Sequence, residues 1–265
     1  MYLSMVVFEE CLAEYHPRMT GHSDLIKIKF MGVQEAMEGQ EYLPDHMLLE
    51  HVEYFVSHPV PAAWGCLCIG EPPEDLFKNN ICLIFPENTD RTSLYHDIQK
   101  IFFLYNSWEM EIRKAMQRNA TLEEMCNLCI PIFEKPIFIH DRNNELLAIA
   151  NEMAGQFSWH YDETFDKYYL PLEILNTFKS SDEYHKTLHT YGAHVFSAKA
   201  TGYRTLYVNL RIEWVYVGRV CLDEIGTPIR KRDYELLEFF ADNIALAMQQ
   251  GMLLGSDVSN VLSIL

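Results

Sequence analysis

Thr121–Ala150, TLEEMCNLCIPIFEKPIFIHDRNNELLAIA, reads as a capped helix feeding a polar-turned hairpin. Thr121 and Glu124 have capping-box spacing: the hydroxyl can accept from the third helical amide while the carboxylate reaches back to the cap amide. Leu122, Met125, Cys126, Cys129 and Phe133 recur every three or four residues, giving the helix one apolar face, and Pro136 stops it. Ile137–Ile139 then predict a short buried strand, His140–Glu145 a polar turn, and Leu146–Ala150 a second apolar strand. A helix followed at once by a hairpin is a domain opening, and it divides the chain.

Working outward, the 265 residues suffice for two ordinary domains. A hydrophobic fraction of 49% with 22% charged residues is that of a globular protein, and no run approaches the roughly 18 to 20 apolar residues of a membrane span. The N-terminal MYLSMVVFEECLAEY lacks the basic region of a signal peptide, so the expectation is a cytoplasmic protein with no membrane partner. Seven cysteines without framework spacing fit reduced thiols. A formal charge of -17, with 21 scattered Lys and Arg, would repel duplex DNA. The lone basic cluster, Arg230-Lys231-Arg232, reads as a solvated turn at a helix start.

Residues 1–90 predict a small N-terminal α/β module. Leu25, Ile26, Ile28 and Phe30 alternate with Lys27 and Lys29 as in a half-buried strand, and Trp64–Ile69 and Ile81–Phe85 are apolar runs of strand length. Glu71–Asp75, between those runs, can start a short helix. Across 91–119, apolar residues from Leu94 to Met116 keep helical spacing for more than six turns, about 35 to 40 Å. This is a connecting helix that packs on a neighbouring domain or on a second copy of itself. Residues 120–250 form a second domain with helix-like segments at Leu172–Phe178 and Ser181–Thr190. Arg204–Leu210 and Val215–Leu222 pair as antiparallel strands, and Gly218 marks a bulge or a close backbone approach. Asp233 can cap a last helix, Tyr234–Gln250, whose apolar positions run from Leu236 to Met248, with Gly251 ending it. Residues 251–265 begin a linker whose Val258–Leu265 run starts another amphipathic segment, the pattern of a chain that continues.

Three sets of residues invite chemistry. Cys126 and Cys129 form CxxC, but both fall on the apolar face and lack the second ligand pair zinc needs, so core thiols are expected. Cys66 and Cys68 share one face of a strand in the same way. His185 and His189 stand at i and i+4 with His194 beyond, a spacing that can seat two imidazoles on one metal; Tyr184 and Lys186 break any HExxH order, and a solvated helix face is the simpler reading. Phe157–Pro171, FSWHYDETFDKYYLP, is dense in aromatics with polar tips, which can wall a pocket for a planar or weakly polar ligand or serve as ordinary packing. No GxSxG elbow, P-loop or GxGxxG occurs, so no catalytic residue and no cofactor is assigned.

IQKIFFLYNSWE (Ile98–Glu109), the Thr121–Ala150 block with its PIFIHD, Trp159, YVGRVCLDE (Tyr216–Glu224) and the closing helix together resemble the N-terminal sensory region of PucR-type transcriptional regulators, over about residues 90–250. The resemblance implies a GAF-like ligand domain with a central antiparallel sheet flanked by helices. It also implies DNA binding only through a C-terminal helix-turn-helix domain absent from this chain. On that basis an unknown small-molecule effector is expected, bound by Trp159, His160, Tyr161, Tyr169, His194, Tyr203 and Arg204, with no reaction catalysed. The long helix and the Tyr234–Gln250 helix each have apolar surface enough for a homodimer seam. The alternatives are a stand-alone interaction module exposing the aromatic segment as a patch, and a metal-dependent enzyme using His185, His189 and His194.

Overall fold

Two apolar runs, joined by a crossover of turns, become buried parallel strands in the first part of the chain. The structure, a computed structural model, describes residues 1–21, 23–36 and 41–253. It divides into two compact units, Met1–Met110 and a second beginning at Glu111. The first contains β1 (Leu3–Ser4), α1 (Met5–Cys11), β2 (Arg18–Gly21), β3 (Lys29–Phe30), β4 (Gly32–Glu35), β5 (His46–His51), α2 (Val52–Ser57), β6 (Gly65–Ile69) and β7 (Ile81–Phe85). Its main sheet has the order β2-β7-β6-β5-β4, with β4 to β7 parallel and β2 antiparallel at one edge. Every residue of β6 and β7 is buried, which is why both read as continuous apolar runs without alternation. Cys66, Cys68 and Cys82 sit together with Phe55 and Phe77 in the core on one face of this sheet.

Two sequence expectations fail here. Leu25–Phe30 is not one strand: Ser23–Lys27 is a 3-10 turn closed by Ile28 N donating to Leu25 O at 3.0 Å, and only Lys29–Phe30 is extended. Leu25 and Ile28 are three apart, which suits a 3-10 turn as well as alternation suits a strand. Nor does Glu71–Asp75 start a helix; Leu76 N donates to Pro73 O at 3.0 Å in a succession of turns.

Helix α3 (Arg91–Gln117) is the long helix foreseen from the spacing. Its apolar stripe, including Leu94, Ile98, Tyr105, Ile112 and Ala115, is buried within the chain, leaving Phe103, Leu104 and Met110 exposed. The second unit then runs α4 (Leu122–Asn127), α5 (Ile130–Phe133), β8 (Ile137–Asp141), β9 (Leu146–Ala150), β10 (His160–Asp162), β11 (Lys167–Tyr169), α6 (Leu172–Lys179), α7 (Asp182–Thr187), β12 (Ala193–Phe196), β13 (Thr205–Ile212), β14 (Val215–Asp223) and α8 (Lys231–Leu253). The capping box forms: Glu124 N donates to Thr121 Oγ1 at 3.1 Å and Thr121 N to Glu124 Oε2 at 3.0 Å. The single predicted helix is nevertheless two, because Pro131 removes one amide and crowds the carbonyl four residues back, at Asn127, where α4 ends. Glu134, in the left-handed region at φ 57°, stops α5 before Pro136 is reached. Gly251 lies inside α8 and does not end it, and Asp233 caps from the third helical position, its Oδ2 accepting from Arg230 N at 2.8 Å. The Val258–Leu265 run lies outside the described residues.

The strands form a five-stranded antiparallel sheet ordered β12-β13-β14-β8-β9. Register sorts its residues onto two faces. Ile137, Ile139, Leu206, Val220 and Leu222 are buried on one, the side on which α8 packs with Leu236, Leu237, Phe240 and Ile244. On the other, Phe138 and His140 of β8 stand beside Cys221 and Arg219 of β14, and these beside Tyr207 and Asn209 of β13. Gly218 is where β14 meets β8 most closely: a Cβ there would lie 2.3 Å from His140 O. A register shift in the β13–β14 ladder falls beside it, at Leu210/Arg211, so both readings of the glycine hold.

Candidate functional site

Alternation along three central strands builds the floor of a pocket, and the chain between β9 and β13 roofs it. Phe138, Tyr207 and Cys221 are buried in one cluster with Phe196 of β12, and Phe157, Trp159, Phe178 and Tyr184 pack onto it half-buried. The rings interlock edge to face: Phe138–Trp159 at 5.3 Å, Phe157–Trp159 at 5.2 Å and Phe178–Phe196 at 5.3 Å between centroids, with Phe178 stacked on Tyr184 at 4.3 Å. They enclose a cavity of about 30 Å³ lined by Phe138, His140, Phe157, Tyr207, Arg219 and Cys221 among others. That volume accommodates about two water molecules, against the ~300 Å³ and above of an open small-molecule pocket, so the site is closed down on itself.

Polar groups converge on this apolar shell. Arg219, 4% exposed, donates from Nε to Asn209 Oδ1 at 3.0 Å and from Nη2 to Thr187 Oγ1 at 2.9 Å, with its guanidinium 4.4 Å from the Tyr207 ring centroid. The buried His140 makes a 2.8 Å hydrogen bond from Nδ1 to Asp141 O; a carbonyl only accepts, so Nδ1 carries the proton and Nε2 is left as an acceptor. Burial, and then the Arg219 charge, push the His140 pKa down to about 4, so the ring is neutral at physiological pH.

Asp223, at the end of β14, anchors the roof. It is fully buried and accepts from Thr205 Oγ1 at 2.8 Å and Gln156 Nε2 at 3.1 Å. Tyr203 also hydrogen-bonds it, and the Tyr203 hydroxyl accepts from Phe157 N at 3.5 Å. Desolvation raises its pKa to about 6 despite those donors.

The sequence candidates fall unevenly about this pocket. Trp159 is in the roof, and Tyr203 supports it from outside through Asp223. His160, Tyr161 and Tyr169 lie on the β10–β11 hairpin, where His160 pairs with Tyr169, and Tyr161 is exposed with its hydroxyl donating to Asp166 at 2.6 Å. They do not line the cavity. His194 shares the pocket face of the sheet, but its exposed ring lies 6.2 Å beyond Tyr207 and bonds to Tyr191 O. Arg204 is exposed and held by Glu224. The residues that do converge, His140, Tyr207, Arg219 and Cys221, escaped the sequence reading. One signal was present: a lone arginine inside the apolar run YVGRVCL and a histidine closing PIFIH are polar residues where a strand should be buried.

The histidine metal alternative loses its geometry. Helix α7 ends at Thr187, so His189 is no longer one turn along the same helix as His185, and His185 Nε2 lies 3.1 Å from Lys179 O. Among the described residues no cluster of three or more His, Cys, Asp or Glu could hold a metal ion. Cys126 and Cys129 are fully buried, as the periodicity requires. Two wider depressions elsewhere, about 1020 Å³ beside Tyr15 and Lys100 and about 580 Å³ beside Arg211 and Trp214, are open surface grooves without a comparable convergence of buried polar groups. No described helix is long and apolar enough to cross a membrane.

No protein-family model matches this chain, and no curated protein does. Among solved structures, the cofactor-binding GAF domain of the nutrient sensor CodY from Clostridium difficile is similar over 54% of this chain and 97% of that one, at 12% identity and a TM-score of 0.39. The phycoerythrobilin-bound GAF domain of a cyanobacterial phytochrome is similar over 56% of this chain and 96% of its own, at 10% identity and a TM-score of 0.42. A type II free methionine-R-sulfoxide reductase from Thermoplasma acidophilum is similar over 52% and 94%, at 17% identity and a TM-score of 0.29.

Proposed function

We propose that this chain is the small-molecule-sensing region of a cytoplasmic transcriptional regulator of PucR type, acting without catalysis. The observation that carries the reading is the closed aromatic pocket on the face of the second unit's sheet opposite α8, with a buried arginine and a buried neutral histidine in its lining. Apolar walls with a few placed polar groups are what a small-molecule site consists of. A cavity this small also has to open for its ligand, and a ligand favouring the open arrangement shifts the population of the two by its difference in affinity for them. In this reading the shift is passed to a DNA-binding domain elsewhere in the regulator, and the chain acts as a homodimer.

Native mass spectrometry of the purified chain tests it. The expected result is one bound organic molecule per chain, or a clear rise in melting temperature on adding a metabolite extract. A bare mass with no thermal response to such extracts would sink the sensing role, and a strict monomer by sedimentation would remove the dimer.

A second reading, an interaction module, rests on the β10–β11 hairpin, where Tyr161, Phe165 and Tyr168 are 42%, 65% and 49% exposed. If that were the working surface, Tyr161→Ser with Tyr168→Ser would abolish partner binding and leave ligand binding intact.

A further inference from the structure

Arg219 sits in the middle of a buried strand with only 4% of its surface exposed, and a guanidinium cannot shed its proton to escape burial. Its hydrogen bonds go to a neutral amide and a neutral hydroxyl, Asn209 and Thr187, and its other close partners are the rings of Tyr207 and Tyr184 at 4.4 and 5.5 Å. Among the described residues no carboxylate pairs with it. The acids at the ends of β8 and β14, Asp141 and Asp223, have other partners: Asp141 accepts from Asn143 N and Glu145 N, and Asp223 from Thr205 and Gln156. The third nitrogen of the fork, Nη1, makes no hydrogen bond among the described residues, and Arg219 lines the cavity. An isolated buried charge is among the most unfavourable features a fold can carry, and it is relieved when an opposite charge reaches it.

We propose that the ligand of this pocket is a small organic monocarboxylate with an apolar body, its carboxylate paired with Arg219 and its body among the roof rings. The planar fork matches a carboxylate in shape as well as sign. His140 is neutral, so the pocket offers a single positive charge and suits a monoanion over a phosphate dianion. The body replaces Phe157 and Phe178 against the floor, since about 30 Å³ admits only a few atoms. The inference rests on the sensing role proposed above.

Thermal unfolding of the whole chain with sodium isobutyrate, hexanoate, benzoate and phenylacetate, each beside its primary amide, tests the charge class. At least one acid at saturation should raise the melting temperature by about 4 °C or more, and its amide by less than about 1 °C. Arg219→Met should erase the response without lowering the ligand-free melting temperature, because it removes an uncompensated charge. Arg219→Lys, which keeps the charge should the methionine variant not fold, should weaken the acid at least tenfold by losing the fork. Cys221→Phe, which fills the cavity, should abolish binding of every compound. Amides that match their acids in the wild type, yet fail in Cys221→Phe, would overturn the carboxylate while leaving the pocket. No response to any compound, or responses that survive Cys221→Phe, would overturn the pocket and the inference together.

Discussion

Replacing Asp223 with asparagine should make the protein more stable at neutral pH, by an amount that shrinks steadily as the solution is acidified. Desolvation of this buried carboxyl raises its pKa from 3.8 to about 6, against the lowering effect of hydrogen bonds from Thr205, Gln156 and Tyr203. The folded state therefore holds its proton more tightly than the unfolded chain. Below 3.8 both states are protonated and nothing is lost; from 3.8 to about 6 the unfolded state ionises first and stability falls; above about 6 the loss is complete. A shift of about two units corresponds to about 3 kcal/mol at pH ~7.5 and about 1 kcal/mol at pH ~4.5. Asparagine keeps an acceptor for Thr205 and has no charge to desolvate. Urea unfolding of wild type and Asp223→Asn across that pH range should give a stability difference that grows by about 2 kcal/mol in favour of the variant. The difference between the two proteins is the diagnostic, since His140 bends the wild-type profile the other way. A difference that stays flat to within about 0.5 kcal/mol would refute the desolvation argument.

His140→Gln should flatten the acid limb of stability. Its folded pKa of about 4 lies below the usual 6.5, so the wild type loses about 3 kcal/mol as pH falls from 6.5 through 4, measurable in the same urea series. Lys135→Met should cost about 3 to 5 kcal/mol, because Lys135 and Asp233 are both fully buried and paired at 2.9 Å; adding Asp233→Leu should recover most of it, less about 1 kcal/mol for the lost cap on α8. Gly218→Ala should cost about 1 to 3 kcal/mol and weaken any ligand, since the new methyl would meet His140 O at 2.3 Å and push β14 from β8 beside Arg219; chemical unfolding with ligand titration checks both. Of the seven cysteines only Cys11 is not buried, and burial pushes Cys126 up to about 12, so a thiol reagent should label Cys11 alone in the native protein. Rapid native labelling of Cys126 or Cys129, followed by mass mapping, would reopen a redox role for the CxxC.

By itself the sequence determined what depends on neighbours along the chain. The capping box at Thr121, the strands Ile81–Phe85 and Leu146–Ala150, and the long amphipathic helix were legible because capping geometry, burial on both faces and the 3.6-residue period each leave a local pattern. The same locality placed Cys126 and Cys129 in the core. Where two local patterns fit equally, as at Leu25–Ile28, the sequence misled, and where Pro131 acts on a carbonyl four residues away it blurred two helices into one. The pocket was decided by tertiary structure alone. Its members come from β8, β13, β14 and the roof, separated by up to about eighty residues, and the antiparallel register chooses which side chains share a face. Aromatic richness pointed to Phe157–Tyr169, yet the β10–β11 hairpin carries half of those rings outward, and only Phe157 and Trp159 turn in. Arg219 looked like one more charge among 21 until pairing with β8 and β13 buried it among rings and neutral donors and acceptors, and it is burial that gives a charge its need for a partner.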